Sequence, residues 1–115
     1  MHGPGVAAYS SGRTHHELLL IQVGSDATPI PPNPRLGLYH FGLKIGENDD
    51  ELRAAVERLR EANVPIVGMS DHGVTHSVYL LDPDGNEVEI YIDVQPAQWR
   101  KNPSDVRMYT RPLRI

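Results

Sequence analysis

Leu36-Gly-Leu-Tyr-His-Phe-Gly-Leu-Lys-Ile45 decides the fold, together with the later stretch Glu87-Val-Glu-Ile-Tyr-Ile92. Both are rich in aromatic and β-branched residues that alternate with period two, which predicts two strands. In the first strand, His40 lies on the face opposite the apolar side chains of Tyr39, Phe41, Leu43 and Ile45. In the second, Glu89 lies opposite Val88, Ile90 and Ile92. His40 and Glu89 therefore both point to the face opposite the core. A one-sided sheet can hold a metal or a substrate on that face.

A capped helix follows the first of these strands. Asn48 and Glu51 have the spacing of a capping box, and the acidic residues beside them suit the positive end of a helix dipole. An apolar stripe is formed by Leu52, Ala55, Val56 and Leu59. Asn63 and Pro65 end the pattern. We predict a helix from about Asp49 to Ala62, packed on the sheet face opposite His40.

Three more strands complete the unit. They are predicted at Val64–Met69, Thr75–Leu81 and Glu87–Val94. The last two are joined by the turn Asp82-Pro-Asp-Gly-Asn86, in which proline presets one φ angle and glycine is free to take a positive one. Residues 36–94 thus have the order β-α-β-β-β.

The rest of the chain divides into three further segments. Residues 1–23 contain two predicted strands, Val6–Tyr9 and His15–Val23, that form a hairpin, and the apolar run within the second suggests a strand covered on both faces. Residues 24–35 contain four prolines and are predicted to be an extended connector. Residues 95–115 lack periodicity, and we expect them to wrap the surface with Trp99 as an anchor.

Composition limits the classes of function. A chain of 115 residues is one ordinary domain at most, and a net charge of −4 leaves no basic stripe for nucleic acid. The chain has no cysteine, which excludes thiol catalysis and zinc-thiolate sites and fits a reducing cytoplasm. No apolar run is long enough for a membrane helix, and the first residues do not have the pattern of a secretory signal.

Few residues are candidates for chemistry. A single strand histidine is more often structural, but His40 paired with Glu89 on one face suits a first-row divalent metal. His72 precedes a strand, where it is either an acid/base or a turn cap. Tyr79 could reach a cleft, although a half-buried tyrosine is the commoner case. The polar run His15-His-Glu17 is compatible with a simple edge strand, and no nucleophile elbow or phosphate loop is present.

The stretch Asp71-His-Gly-Val-Thr-His-Ser-Val-Tyr-Leu-Leu-Asp-Pro-Asp-Gly-Asn-Glu-Val-Glu-Ile-Tyr91, in a β-α-β-β-β unit, resembles the vicinal oxygen chelate superfamily of glyoxalases, bleomycin resistance proteins and extradiol dioxygenases. Within it the chain is most similar to catechol 2,3-dioxygenases. Most positions of the extradiol pattern are met, by His72, Val78, Tyr79, Asp82, Pro83, Gly85 and Glu89. Ser70 departs from that pattern. His15 and His16 before the connector, and the tail through Trp99, share the likeness.

The resemblance implies an α+β fold in which one complete module follows the last strands of a preceding one, forming part of a cupped mixed sheet. It implies that His40 and Glu89 are metal ligands, that His72 is the acid/base and that Tyr79 hydrogen-bonds the substrate. Fe(II) is the expected metal, with Mn(II), Zn(II) or Ni(II) as alternatives. The resemblance further implies an N-terminally truncated chain, since nothing in it corresponds to the first strand and helix of the earlier module or to the histidine ligand on that strand.

Three hypotheses follow from the resemblance. The first is an extradiol dioxygenase that cleaves a catechol-like aromatic with O₂ and is completed by upstream sequence or a partner chain. The second is a glyoxalase-like lyase or isomerase with Glu17 as an additional carboxylate. The third is a metal-free binding protein or an inactive one. Since the missing strand leaves an open sheet edge, we also expect a homo-oligomer, in which His15 or His16 could supply a third ligand in trans.

Overall fold

A computed structural model describes residues 2–3, 5–94 and 111–115 of the chain. These residues form eight strands and one helix: β1 His2–Gly3, β2 Val6–Tyr9, β3 Leu18–Ile21, β4 His40–Gly46, α1 Asp49–Glu61, β5 Ile66–Asp71, β6 Thr75–Leu81, β7 Glu87–Asp93 and β8 Arg111–Pro112. The strands make two sheets, one with the order β1-β2-β3 and one with the order β4-β7-β6-β5-β8. The predicted α+β class and the β-α-β-β-β order of residues 36–94 are confirmed.

The five-stranded sheet is mixed. Strands β4 and β7 are parallel neighbours, with His40 opposite Glu87 and Gly42 opposite Glu89. Strand β6 pairs antiparallel with both β7 and β5. The first and last strands of the module are therefore adjacent, which brings the two stretches that decide the fold side by side.

The helix has the ends that the sequence predicts. The N–H of Glu51 donates to Oδ1 of the N-cap Asn48 at 2.9 Å, which is one of the two hydrogen bonds of a capping box. Oε1 of Glu51 accepts instead from the N–H of Glu47, one residue before the cap, at 3.3 Å. At the other end Asn63 takes a left-handed φ of 57°. The N–H of Val64 then reaches the carbonyl of Leu59 at 2.9 Å, as in a Schellman motif. The helix ends at Glu61, one residue before the predicted Ala62.

The core lies between the helix and one face of the five-stranded sheet. Leu52 and Val56 of the helix are buried against apolar side chains of β6 and β7, namely Val78, Leu80, Val88, Ile90 and Ile92. Burying each such side chain stabilises the fold by roughly 1.5–3 kcal/mol. The prediction that the helix packs on the face opposite His40 is confirmed, so the other face is left for polar residues.

The N-terminal hairpin forms, but its second strand differs from expectation. Strand β3 pairs antiparallel with β2, as predicted, over a shorter range than His15–Val23. The expectation that both faces of this strand are covered is wrong: Leu19, Leu20 and Ile21 are 45%, 49% and 61% exposed. The reason is that β1–β3 form a separate sheet instead of joining the five-stranded one, and among its described apolar side chains only that of Ala8 is buried.

The connector and the tail are partly as predicted. Residues 24–35 contain neither helix nor strand. The expected anchor Trp99 lies outside the residues that the structure describes. Strand β8 pairs with β5 at Ser70 and Asp71, and Leu113 and Ile115 pack against the core, so the end of the chain covers the β5 edge. The division at residues 23, 35 and 94 stays a prediction. The helix found within the described ranges has 13 residues and many charges, and it is too short and polar to cross a membrane.

Candidate functional site

His40 and Glu89 meet on the polar face of the sheet. His40 opens β4, and Glu89 lies two residues into β7, the adjacent parallel strand. The Nε2 atom of His40 is 3.2 Å from the Oε1 atom of Glu89. Their side chains are 27% and 16% exposed, so both are shielded but reachable. The expectation that the two side chains share a face and lie close together on adjacent strands is confirmed. That they bind one ion stays a prediction.

A second carboxylate contacts the same imidazole. The Nδ1 atom of His40 lies 2.9 Å from Oε2 of Glu87, its register partner in β7. A neutral imidazole has one N–H and one lone pair, so it can donate to one of these two carboxylates while its lone pair faces the other. Either the imidazolium form or a cation ligated by both His40 and Glu89 satisfies this arrangement. The donor set thus fits a divalent metal at Nε2 and Oε1.

The carboxylate of Glu89 accepts a hydrogen bond from a buried serine. The Oγ of Ser77 in β6 donates to Oε2 of Glu89 at 2.5 Å, and Ser77 is fully buried. On the other side, a Cβ added to Gly42 would stand 3.1 Å from Cε1 of Tyr91 and 3.6 Å from Oε1 of Glu89. A glycine at this position therefore keeps open the space beside the carboxylate. Ser77 and Glu87 have no motif that marks them as site residues in the sequence, although both share the site face by strand alternation.

His72 and Tyr79 form the other half of the site. The Nε2 atom of His72, in the turn after β5, lies 2.8 Å from the hydroxyl of Tyr79 in β6. The ring of Tyr79 is 5.7 Å from that of His40, centroid to centroid. Burial, reinforced by the negative charge of Glu89, raises the pKa of Tyr79 above its ordinary value, so the phenol keeps its proton at neutral pH. All four predicted site residues are thus brought together on one face, while their roles remain predictions.

The other candidate ligands lie elsewhere. His15 and His16 contact each other through their Nδ1 atoms at 3.0 Å in the exposed turn before β3. Glu17 is held by Ser11 and Arg13, whose hydrogen bonds lower its pKa to about 2. Within the described ranges, no group of three His, Cys, Asp or Glu side chains is placed to hold a metal ion. The part of the chain that the structure describes therefore offers two ligands and does not bring Glu17 to His40.

An open cavity of about 850 Å³ runs along the β4 edge of the site. It is lined by Ser11, Arg13, Glu17, Phe41, Gly42, Leu43, Lys44, Tyr91 and Asp93. Its cations are already paired, Arg13 with Glu17 at 2.9 Å, and Lys44 with Glu47 at 3.0 Å and Asp93 at 3.3 Å. Because Gly42 and Tyr91 line this cavity and flank Glu89, it gives a small molecule room beside the candidate metal ligands.

Comparison with known proteins gives consistent matches. Residues 1–90 match the family model of the Glyoxalase/Bleomycin resistance protein/Dioxygenase superfamily. The chain is 36% identical over 85 residues to a catechol-2,3-dioxygenase of Bacillus subtilis (strain 168), which covers 74% of this chain and 29% of the relative. It is 34% identical over 95 residues to biphenyl-2,3-diol 1,2-dioxygenase 2 of Rhodococcus globerulus, covering 79% of this chain and 47% of that protein.

A solved structure extends the likeness to the fold. The lactoylglutathione lyase of Agrobacterium tumefaciens superposes with a TM-score of 0.54 at 25% identity, covering 80% of this chain and 72% of the lyase. The curated dioxygenases are longer, and the chain spans less than half of the length of each.

Proposed function

The chain belongs to the glyoxalase/bleomycin resistance protein/dioxygenase superfamily, and we propose that it carries the catalytic half of an extradiol-type dioxygenase site. The observation behind this proposal is the pairing of His40 Nε2 with Glu89 Oε1 at 3.2 Å, on the same face as the His72–Tyr79 pair at 2.8 Å. The proposed reaction cleaves the ring of a catechol-like substrate at the bond between one hydroxylated carbon and its neighbour that carries no hydroxyl. Both atoms of O₂ enter the ring-opened product.

His40 and Glu89 would hold the metal through Nε2 and Oε1, with Fe(II) as the proposed ion and Mn(II), Zn(II) or Ni(II) as alternatives. Histidine and carboxylate ligands with open positions are the arrangement that non-haem iron oxygenases use. Bound Fe(II) would supply Lewis acidity toward the catechol oxygens and electron density toward O₂.

The remaining site residues would handle protons and orientation. The hydroxyl of Tyr79 stays protonated, because burial and Glu89 raise its pKa, so it can donate a hydrogen bond to a substrate oxygen. His72 contacts that hydroxyl and is placed to accept or return a proton at the reacting substrate. The partial burial of His40 and Glu89 limits the access of water to these steps.

The site needs a third metal ligand, and its source is part of the proposal. We propose that it comes from a further stretch of protein sequence or from a second copy of the chain. The substrate is proposed to be a neutral aromatic diol, because the cations that line the neighbouring cavity are already paired with carboxylates. We include a cytoplasmic location in this proposal, since a chain without cysteines needs no oxidising compartment.

The test is oxygen uptake by protein loaded with Fe(II) under anaerobic conditions and then mixed with catechol or a biphenyl-diol in air. We expect O₂ consumption equimolar with substrate and the yellow absorbance of a ring-opened product. The His40→Ala variant should show neither, whereas His76→Ala, a histidine paired with Asp49 at 2.6 Å outside the site, should show both. Stoichiometric metal binding without O₂ uptake, in protein supplied with either substrate, would contradict the dioxygenase assignment.

A second candidate is a glyoxalase-like isomerase, which the superposition on a lactoylglutathione lyase favours. The same metal-loaded samples are mixed with methylglyoxal and glutathione, and formation of lactoylglutathione is followed by its absorbance. The engagement of Glu17 by Ser11 and Arg13 weighs against this candidate, since that hypothesis uses Glu17 as an additional carboxylate. A chain that binds no metal at all would instead support a binding or inactive protein.

A further inference from the structure

We propose that Glu87 and Ser77 are positioning residues that select which atoms of His40 and Glu89 bind the metal. Glu87 accepts a hydrogen bond from the Nδ1–H of His40, so that Nε2 faces the ion. The hydroxyl of Ser77 donates a hydrogen bond to Oε2 of Glu89, so that Oε1 faces the ion. This inference rests on the metal-binding role proposed above for His40 and Glu89.

The contact between Glu87 and His40 is fixed by the backbone. The two residues are direct register partners on parallel strands, and Oε2 of Glu87 lies 2.9 Å from Nδ1. The Glu87 side chain is 22% exposed, so water competes weakly for the hydrogen bond. Metal-binding histidines usually donate their other ring N–H to a carboxylate or carbonyl, which sets the tautomer and the ring orientation. Glu87 is placed to do this for His40.

Ser77 acts on the second ligand in the same way. Its hydroxyl is fully buried and donates to Oε2 of Glu89 at 2.5 Å. A contact of the same hydroxyl with Oγ1 of Thr75 is longer, at 3.5 Å. Because losing the shorter bond would leave a buried hydroxyl poorly paired, the hydrogen bond to Glu89 is expected to persist. Because the hydroxyl of Ser77 holds Oε2, the oxygen of Glu89 that faces Nε2 of His40 is Oε1, at 3.2 Å.

The two selected atoms have the separation that a shared ion requires. Metal–nitrogen and metal–oxygen bonds of about 2.1 Å at an angle of about 90° place two ligand atoms about 3 Å apart. The observed distance between Nε2 and Oε1 is 3.2 Å. Glu87 and Ser77 thus preorganise two ligand atoms that lie on the neighbouring strands β4 and β7, with Ser77 supplied by β6.

The experiment measures Zn(II) affinity and the tautomer of His40 in the full chain, with Zn(II) as a diamagnetic probe. Affinity is obtained by competition with a chromophoric chelator, and the tautomer by NMR of isotope-labelled imidazole nitrogens. For wild-type protein we expect Nδ1 to carry the proton and Nε2 to carry the metal. Glu87→Ala and Ser77→Ala should each weaken Zn(II) binding about 10- to 100-fold, as loss of such partners does in other metal sites.

The conservative variant separates positioning from a merely structural role. Glu87→Gln keeps an acceptor for the Nδ1–H, so it should retain the wild-type tautomer and lose less affinity than Glu87→Ala. Glu57→Gln, the same change at an exposed helix residue, should leave affinity and tautomer unchanged. Thermal unfolding of every variant shows that the changes in affinity do not come from loss of the fold.

The outcomes are distinguishable. Zn(II) binding that is lost in His40→Ala, but is unchanged in Glu87→Ala and Ser77→Ala with the same tautomer, would overturn the positioning roles and leave the proposed metal site standing. Absence of saturable Zn(II) binding by the wild-type chain, or binding that survives in His40→Ala, would overturn both. Weakened binding together with a shifted tautomer in Glu87→Ala supports both.

Discussion

The imidazole Nε2 of His72 lies 2.8 Å from the hydroxyl of Tyr79, so a turn residue and a strand residue act as one hydrogen-bonded unit beside His40. The turn that carries His72 is held by the N–H of His72, which donates to the carbonyl of Thr75 at 2.9 Å. Tyr79 is fixed by its place in the middle of β6, between β5 and β7. The two side chains are therefore positioned by separate backbone elements and contact each other, which favours a role at the reacting groups and not in binding the metal.

Replacing Tyr79 by phenylalanine should separate substrate chemistry from metal binding. The variant loses the hydroxyl but keeps the ring, so Fe(II) content should stay at the wild-type level. Ring cleavage should fall by about 10²–10⁴-fold, the usual contribution of a positioned proton donor or acceptor. Tyr9→Phe, at a tyrosine 55% exposed on β2, is the matched control and should retain full activity. A Tyr79→Phe protein that cleaves catechol at the wild-type rate would contradict the assigned role.

Replacing His40 by alanine should abolish binding of Fe(II). Only Glu89 of the proposed pair then remains, and a single carboxylate does not retain a divalent ion against water. Metal content after desalting of anaerobically loaded protein measures the effect. His76→Ala should keep the metal, because His76 lies on the helix side of the sheet and contacts Asp49. Equal metal content in the His40→Ala and wild-type proteins would show that the ion binds elsewhere.

The placement of His40 and Glu89 on the site face could be predicted from alternation along the strands. Period two in β4 and β7 placed His40 and Glu89 on one face before any pairing was known, because the core needs the other face. The adjacency of those strands came from the family resemblance, since a parallel pair separated by a helix and two strands has no local signature. The capping box of Asn48 and Glu51 is a local signal, and it predicted the start of the helix correctly.

Other features depend on the fold as a whole and could not be read from local sequence. The apolar run of β3 has the composition of a covered strand, but whether another layer covers it depends on where that hairpin is placed. Ser77 is a buried hydroxyl whose importance appears only once its contact with Glu89 is seen. Pairing of β8 with β5 joins residues about forty positions apart, and neither strand carries a signal for the other.

Asp71 should make stability depend on acid pH. Burial acts to raise the pKa of this carboxyl, but the N–H of Gly73 and the positive charges of His76 and Arg111 outweigh it and hold the pKa below its ordinary value of 3.8. A lowered folded-state pKa gives stability that is fully present above the unfolded value and is lost as pH falls through the folded value. The acidic window below 3.8 is therefore where this stabilisation disappears.

Urea unfolding of wild type and Asp71→Asn across pH tests this expectation. The series runs from about pH 6 into strong acid. The wild type should be more stable at the upper end, and the difference in free energy of unfolding should shrink as pH falls below 3.8. Asp26→Asn, at an exposed connector residue, should show no such trend. A difference that stays constant into strong acid would mean that the Asp71 contacts do not favour its charged form.

Leu52 should be among the most costly core positions to truncate. It is fully buried in the layer between the helix and the sheet, so Leu52→Ala removes apolar contacts and leaves a cavity. The free energy of unfolding should fall by about 2–5 kcal/mol. Leu36→Ala is the same substitution at a fully exposed residue and should change it by less than about 0.5 kcal/mol. Equal effects in urea denaturation would place the core elsewhere.

We expect the chain to self-associate through the open edge strands of its two sheets. In the described part of the chain, β3 and β4 are each paired on one side only, so both present unpaired backbone groups. The outer residues of β3 are the exposed Leu19, Leu20 and Ile21, and a small apolar cavity of about 300 Å³ borders two of them. Open strand edges with apolar side chains favour pairing with another strand. We therefore expect a second copy of the chain to cover β3.

Light scattering and sedimentation over a dilution series, with and without Fe(II), measure this association. The chain should be dimeric or larger at high concentration and should dissociate on dilution. Leu20→Lys should shift the equilibrium toward monomer, because a charge opposes burial of the β3 surface. Val67→Lys places the same charge on an exposed valine of β5, in the other sheet, and should not. A wild-type chain that stays monomeric at high concentration and binds Fe(II) stoichiometrically would show that this chain closes its own sheet and completes its own metal site.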